Sequence, residues 1–404
     1  MHSLEAHFQT LPKDLLQEIR KKAWSRFSEV GLPKPKQEAF QYLPLQKLEI
    51  SEPSLRKVIS KEEILPHILP ECKNSHLVFV DGFFEEDLSI SSLICQPLDQ
   101  AMKSYGLFLQ NRLKSSLKTE KDPLALLNSA LQGKALFLYA PPQTSPEEKI
   151  QILHYTTDSR STFPRIQLYL GKNAKVSLVQ TSFSKVDKGF SAPLIDAALD
   201  EGASLSFCDF SELPANFQQF QAFRASLKRD SKLKTLTFTE GSLIWRSSLE
   251  VALEENGEAE LLGLSYLKGS RQAHIHALVE HMAPSARSRQ HFKAVLDDEA
   301  RSSFEGKIFV RPAAQKTVAY QLSNHLLLSD LASANAKPNL EIFADDVKAS
   351  HGATTSQLDE ESIFYLRSRG LSKIQAKRYL TLGFCKEITD QIPFDSLNAR
   401  LAYA

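Results

Sequence analysis

The chain has 404 residues, and its 49 Lys and Arg against 48 Asp and Glu leave a formal charge of +1. That length buries a large core and suggests two or three structural units, while balanced charge without a block of one sign argues against a dedicated nucleic-acid or anionic-membrane protein. No run approaches the ~18 apolar residues of a membrane span, and MHSLEAHFQTLPKDL lacks the apolar core of a signal peptide, so a cytoplasmic protein is expected.

Residues 12–30 predict an amphipathic helix, with Leu16, Ile19, Ala23 and Phe27 at helical spacing, stopped by Gly31 and kept from resuming by Pro33 and Pro35. Leu77-Val78-Phe79-Val80 reads as a buried strand that turns at Asp81-Gly82. Helical character follows over 97–112 and 123–132, where Asp122 before Pro123 is a good N-cap pair. The first 135 residues are thus mixed and mainly helical.

From Leu136 the period changes to two. Ile166, Leu168 and Leu170 alternate with other residues, as do Val176 and Leu178, Leu205 and Phe207, and Leu249, Val251 and Leu253. The turns between them rhyme: LGKNAKVSL at 170–178, LDEGASLSF at 199–207 and LEENGEAEL at 253–261. Repeated short strands with small residues at the corners suggest a solenoid of stacked strands over 136–345, with a sandwich as the second choice from pattern alone.

Residues 337–370 then change character. A strand through Leu340 and Ile342 gives way to a polar turn from Asp345 to Gly352, which holds Asp345, Asp346, Lys348 and His351. Asp359 is a plausible N-cap for a helix whose apolar residues are Ile363, Phe364 and Leu366, closed by Gly370. Not all three can face one partner, since adjacent positions diverge by about 100°. A second helix begins with the capping-box pair Ser372 and Gln375, and Arg367, Arg369, Lys373, Lys377 and Arg378 surround the helical pair. Residues 346–404 are expected to form a C-terminal helical region.

Several chemistries lack their motifs. No GxxxxGK[ST] loop, GxSxG, HExxH or GxGxxG is present, so ATP hydrolysis and hydrolase or dinucleotide chemistry are not expected of this chain. Cys72, Cys95, Cys208 and Cys385 are far apart, form no CxxC and read as small buried hydrophobes, a poor supply of thiolates for a stable metal centre. Gly269-x4-His274-x-His276-x3-Glu280 resembles the first metal motif of cupins. On a strand His274 and His276 would share a face, which keeps a β-helix or cupin-like metal-dependent enzyme as the alternative reading. No second motif supplies another histidine, and partly exposed solenoid residues are the plainer expectation. His351, beside Gly352, is the better candidate ligand.

Two spaced strings carry a resemblance. LEIFADDVKASHGAT with QLDEESIFYLRSRG after it, and FEGKIFV, AQKT, AYQ and LLLS across 304–329, are similar to the C-terminal signature of the SufB/SufD family of iron–sulfur cluster assembly. Arg20-x3-Trp24-x2-Phe27-x3-Gly31-Leu32-Pro33, then Lys36-x-Glu38 and Tyr42, resemble the N-terminus of the SufD branch, as does the Leu77–Gly82 strand followed by Leu88-Ser89. The resemblance implies a mainly β fold, a right-handed parallel β-helix flanked by N- and C-terminal helical regions. It implies a non-catalytic subunit that pairs with a SufB-like chain and docks the ABC-type ATPase SufC on Ile363, Phe364, Leu366, Arg367 and Arg369. ATP-driven dimerisation of SufC would pull on the β-helices and open the SufB–SufD interface. Asp345, Asp346 and Lys348 would form the turn facing SufB. His351 would contribute at most one ligand, beside partner cysteines, to iron or a nascent cluster held transiently there, with no cofactor bound stably. Many relatives carry a cysteine where this chain has Ala349. A homodimer of the isolated chain is left open.

Overall fold

The computed structural model describes residues 2–401. Its organising feature is a column of corner turns. Asn173, Gly202, Asp230, Asn256, Ser285 and Lys316 all lie at φ between +55° and +66°, the left-handed region that Gly, Asn and Asp enter most cheaply. Each donates its N–H to the carbonyl just before the next corner: Asn173 to Glu201, Gly202 to Arg229, Asp230 to Glu255, Asn256 to Pro284, Ser285 to Gln315 and Lys316 to Asp346. The rhyming turns of the sequence are this column.

Between corners the strands stack in parallel. One sheet has ten strands and the other eleven, and together they form a parallel β-solenoid of about 8 turns, with 42% of the residues in strand. Leu, Ile, Val, Phe and Ala at alternate positions fill the interior, from Leu77 and Phe79 to Phe292 and Phe304. At the far end the outermost strands run antiparallel to their neighbours, Phe83–Ile90 on His76–Val80 and Ile94–Pro97 on Leu136–Ala140. The near end is open: Ser333–Ile342 edges one sheet and Val347–Gln357 the other.

Helices cover the outer faces. α1 (His2–Thr10), α2 (Gln17–Val30), α3 (Lys61–Ile64), α4 (Leu98–Ser104), α5 (Gly106–Thr119) and α6 (Pro123–Leu131) come from the N-terminal third. α2, α5 and α6 share one apolar cluster with Phe137, Phe190 and Phe220 on the eleven-stranded sheet. α7 (Glu360–Ser368), α8 (Lys373–Thr389) and α9 (Asp395–Leu401) follow the last strand. Cys385, Ile388 and Leu397 from α8 and α9 pack on Leu262, Leu264 and Val295 of the ten-stranded sheet.

Four expectations change. The helix expected over 12–30 starts at Gln17, because Asp14 binds the Leu16 N–H and the Arg20 guanidinium and holds the preceding residues in a turn. α1 had no sequence counterpart. The polar turn expected from Asp345 to Gly352 is mostly strand: only Asp345 and Asp346 form the corner, and Lys348 and His351 lie within Val347–Gln357. The β-region therefore runs past residue 345, and helix begins only at Glu360. The last strand escaped notice because it is an edge, with polar residues where an inner strand would alternate with apolar ones. Residues 402–404 of the C-terminal region lie outside the described residues.

Candidate functional site

The open end of the solenoid gathers the singled-out residues of the 304–370 motifs. Val347–Gln357 pairs with Thr317–Leu327 along its whole length, placing Ala349 beside Ala319 and His351 beside Gln321. Paired residues of a parallel ladder share a face. Ala349 and Ala319 belong to the apolar interior with Ile308, Val310 and Ala314, so His351, two positions on, faces the mouth from the same side. The His351 ring is exposed, and Gln321 behind it is buried. Asp345 and Asp346 are exposed at the last corner, where the Asp346 N–H donates to Gln315 Oε1 at 2.9 Å and its carbonyl accepts from Lys316 N at 2.6 Å. Lys348 is exposed on the opposite face of the strand from His351. The structure thus brings Asp345, Asp346 and His351 to one rim.

A helical hairpin stands beside that rim. Asp359 caps α7 by accepting the Ser362 N–H at 2.8 Å, and Ser372 and Gln375 make a reciprocal capping box on α8. Gly370, at φ +94°, turns the chain between them. The far half of α8 is anchored: Lys293 Nζ donates to the Phe384 carbonyl at 3.0 Å and meets Glu387 at 2.9 Å. The near half projects. Ile363 is buried and takes no part in the surface, and Leu366 is half-buried, whereas Phe364 is 72% exposed. Tyr365, Ile374 and Tyr379 are exposed as well, and Arg369 lies 5.3 Å over the Tyr365 ring. Arg367 is exposed. The helical pair thus shows four large apolar side chains among basic ones.

The other sequence candidates fare differently. His274 is buried, not partly exposed, because residues 38–43 fold across the sheet above it. Its ring nitrogens bind Ser303 Oγ at 2.7 Å and Gln272 Oε1 at 3.2 Å, and His276 is half-buried beside it. The cavity they line measures about 10 Å³, one water's worth, and also holds Arg246 and Glu305. Burial pushes both imidazoles down to about 3. A guanidinium stands where a further ligand would be needed, so this donor set does not suit a metal. Among the described residues no group of three His, Cys, Asp or Glu could hold a metal ion. Cys72, Cys208 and Cys385 are buried in one apolar cluster, and burial pushes the Cys72 and Cys385 thiols up to about 12. None of them is a ready thiolate.

Sequence reasoning passed over a layer of buried ion pairs that seats the N-terminal helices. Glu120 takes the Arg224 guanidinium with both oxygens, at 2.8 and 3.1 Å, and Asp122 accepts from Arg246 at 2.5 Å. Burial opposes the charge on Asp122, but Arg246 and Arg224 hold its carboxyl below the ordinary range. The Arg246 guanidinium also lies 4.2 Å over the Phe40 ring. Outward arginines on alternate strand positions were the only trace of this in the sequence.

The chain matches known proteins over nearly its whole length. The family model "SUF system FeS cluster assembly, SufBD core domain" matches residues 153–384, and "SufBD protein N-terminal region" matches residues 3–152. The chain belongs to the SufBD family of iron–sulfur cluster assembly proteins. It is similar to an iron–sulfur cluster assembly SufBD family protein of Synechocystis, 29% identical over 92% of this chain and 86% of the relative. The iron–sulfur cluster assembly protein SufD of Escherichia coli is 28% identical over 92% of this chain and 88% of its own length. A SufBD family protein of Mycobacterium leprae is 31% identical over 54% of this chain and 57% of its own. Within the family the chain is SufD-like. Among the described residues no helix is long and apolar enough to cross a membrane.

Proposed function

We propose that this chain is a non-catalytic, SufD-type subunit of an assembly complex that builds iron–sulfur clusters on a SufB-like partner and is driven by a SufC-type ATPase. The observation that carries the reading is the open end of the solenoid, where two unpaired strand edges, the exposed His351 and the projecting α7–α8 hairpin lie together. Unpaired edges invite strand-wise pairing with a second solenoid. In that joint His351 supplies one imidazole to the cargo and the partner supplies thiolates, since Ala349 offers none. Asp345 and Asp346 flank the joint at the last corner, and Lys348 faces outward from the same strand.

The ATPase docks on α7. Phe364 with Arg367 three residues on forms a mixed apolar and basic patch, the arrangement in which a few anchors carry most of a helix-in-groove contact. Tagged chain drawn from its native cell should bring down a SufB-like chain and an ABC-type ATPase. Phe364→Asp, already at an exposed position, should cost at least tenfold in ATPase affinity and leave circular dichroism unchanged. His351→Ala should leave the complex assembled while cluster formation on it falls. If the tagged chain elutes only with itself, as a homodimer, the subunit reading fails. If His351→Ala complexes assemble clusters at the normal rate, His351 is a structural residue.

A further inference from the structure

We propose that Gln321 is the positioning residue of His351: its buried amide oxygen receives the Nδ1–H of the ring and leaves Nε2 directed out of the mouth as the free nitrogen. The two residues are direct partners in the parallel ladder, on the same face, one strand apart. Strands in a ladder lie about 4.8 Å apart, within reach of one side-chain hydrogen bond.

The orientation of the amide follows from its neighbours. Gln290 Nε2 donates to the Lys307 carbonyl at 3.3 Å, an acceptor that only an NH2 group can satisfy. Gln290 therefore turns its oxygen toward Gln321, and Gln321 Nε2 donates to it at 2.8 Å. The oxygen left over, Gln321 Oε1, is buried without a hydrogen-bond partner. An acceptor left so in the interior is costly, and its direct partner in the ladder is the exposed His351, whose ring can turn about its side-chain bonds.

Room for this amide is built into the opposite sheet. A Cβ on Gly306 would stand 2.2 Å from Gln321 Nε2 and 2.5 Å from Phe304 Cζ. Glycine at 306 thus keeps open the slot in which Gln321 lies. Both residues fall in the 304–329 string, FEGKIFV and AYQ, for which the partner-docking reading has no use.

Nδ1 is the nitrogen concerned because it lies near the main chain, level with an amide held down by Gln290. Nε2 lies at the ring tip, beyond it. A free imidazole prefers the proton on Nε2, so the contact reverses the ordinary tautomer, as a carbonyl behind a ligating histidine does. The inference extends the reading of His351 as a cargo ligand, yet the tautomer is measured on the metal-free chain alone.

The experiment is nitrogen NMR on the full chain with labelled histidine, the His351 signals being assigned by their loss in His351→Gln. The neutral ring should be mainly the Nδ1–H form. In Gln321→Met, which keeps the volume and removes the oxygen, the Nε2–H form should become the majority. Gln290→Met, which frees the amide without touching His351, should also lower the Nδ1–H share, and serves if Gln321→Met does not fold. A wild-type ring that is mainly Nε2–H overturns the assignment, as does an Nδ1–H majority unmoved in a folded variant. Normal cluster assembly by His351→Ala would sink the ligand reading and leave this one standing.

Discussion

Glu305 lies on the outer face of the eleven-stranded sheet beneath residues 38–43, and burial pushes its carboxyl up to about 6. In the unfolded chain a glutamate titrates near ~4.3. The folded protein therefore binds more protons between those values, and this group's contribution to stability falls as pH rises from about 4 to about 6 and stays low above. Glu305→Gln should raise the melting temperature at pH 8 more than at pH 4.5. The gain at pH 8 corresponds to about 1 kcal/mol, allowing for solvent near the site. Equal gains at the two pH values would mean that packing, not charge, is responsible. None of this was visible in the sequence, where Glu305 is one charged letter between Phe304 and Gly306. His351 was visible, but the amide behind it was not, because strand register brings residues 321 and 351 together.

At the scale of elements, the N-terminal helices are held by charge as well as by apolar contact. Asp122 caps α6 through the Leu124 N–H at 2.9 Å and also neutralises Arg246. Asp122→Ala removes the cap and strands a guanidinium that is 2% exposed, a loss of about 3–5 kcal/mol that a urea denaturation midpoint will read. Adding Arg246→Met should recover part of it, since the unpaired charge is then gone. If the double variant is no more stable than Asp122→Ala, the stranded charge was not the cause. The caps at Asp122, Asp359 and Ser372 were legible because a cap is a local signal, complete within four residues. The last strand was not, because its pairing is with residues thirty positions away and its side chains are largely exposed. The α7–α8 hairpin was legible in its boundaries but not in which of Ile363, Phe364 and Leu366 it buries, which depends on packing.

For the whole molecule, the period-two runs and rhyming corners announced a solenoid, because each turn repeats the same local problem and solves it with the same residue types. The interior adds a shared liability. His154, His281 and His325 are pushed down to about 4 by burial, and His274 and His276, under the N-terminal segment, to about 3. The unfolded chain protonates all five near ~6.5. It gains protons that the folded protein refuses, so their contribution to stability is full above that pH and is lost as pH falls below it. Denaturant midpoints should drop steeply from pH 6.5 to pH 4.5, against the opposite and smaller trend of Glu305. A flat profile over that window would show these imidazoles to be protonated in place. The two ends of the stack have a different consequence. At one end the outermost pair is antiparallel, Phe83–Ile90 on His76–Val80, whereas at the other the outermost strands run parallel to their neighbours. The stack therefore has two unlike ends, and an edge-on neighbour seated at one meets a different strand direction and side-chain set from one seated at the other.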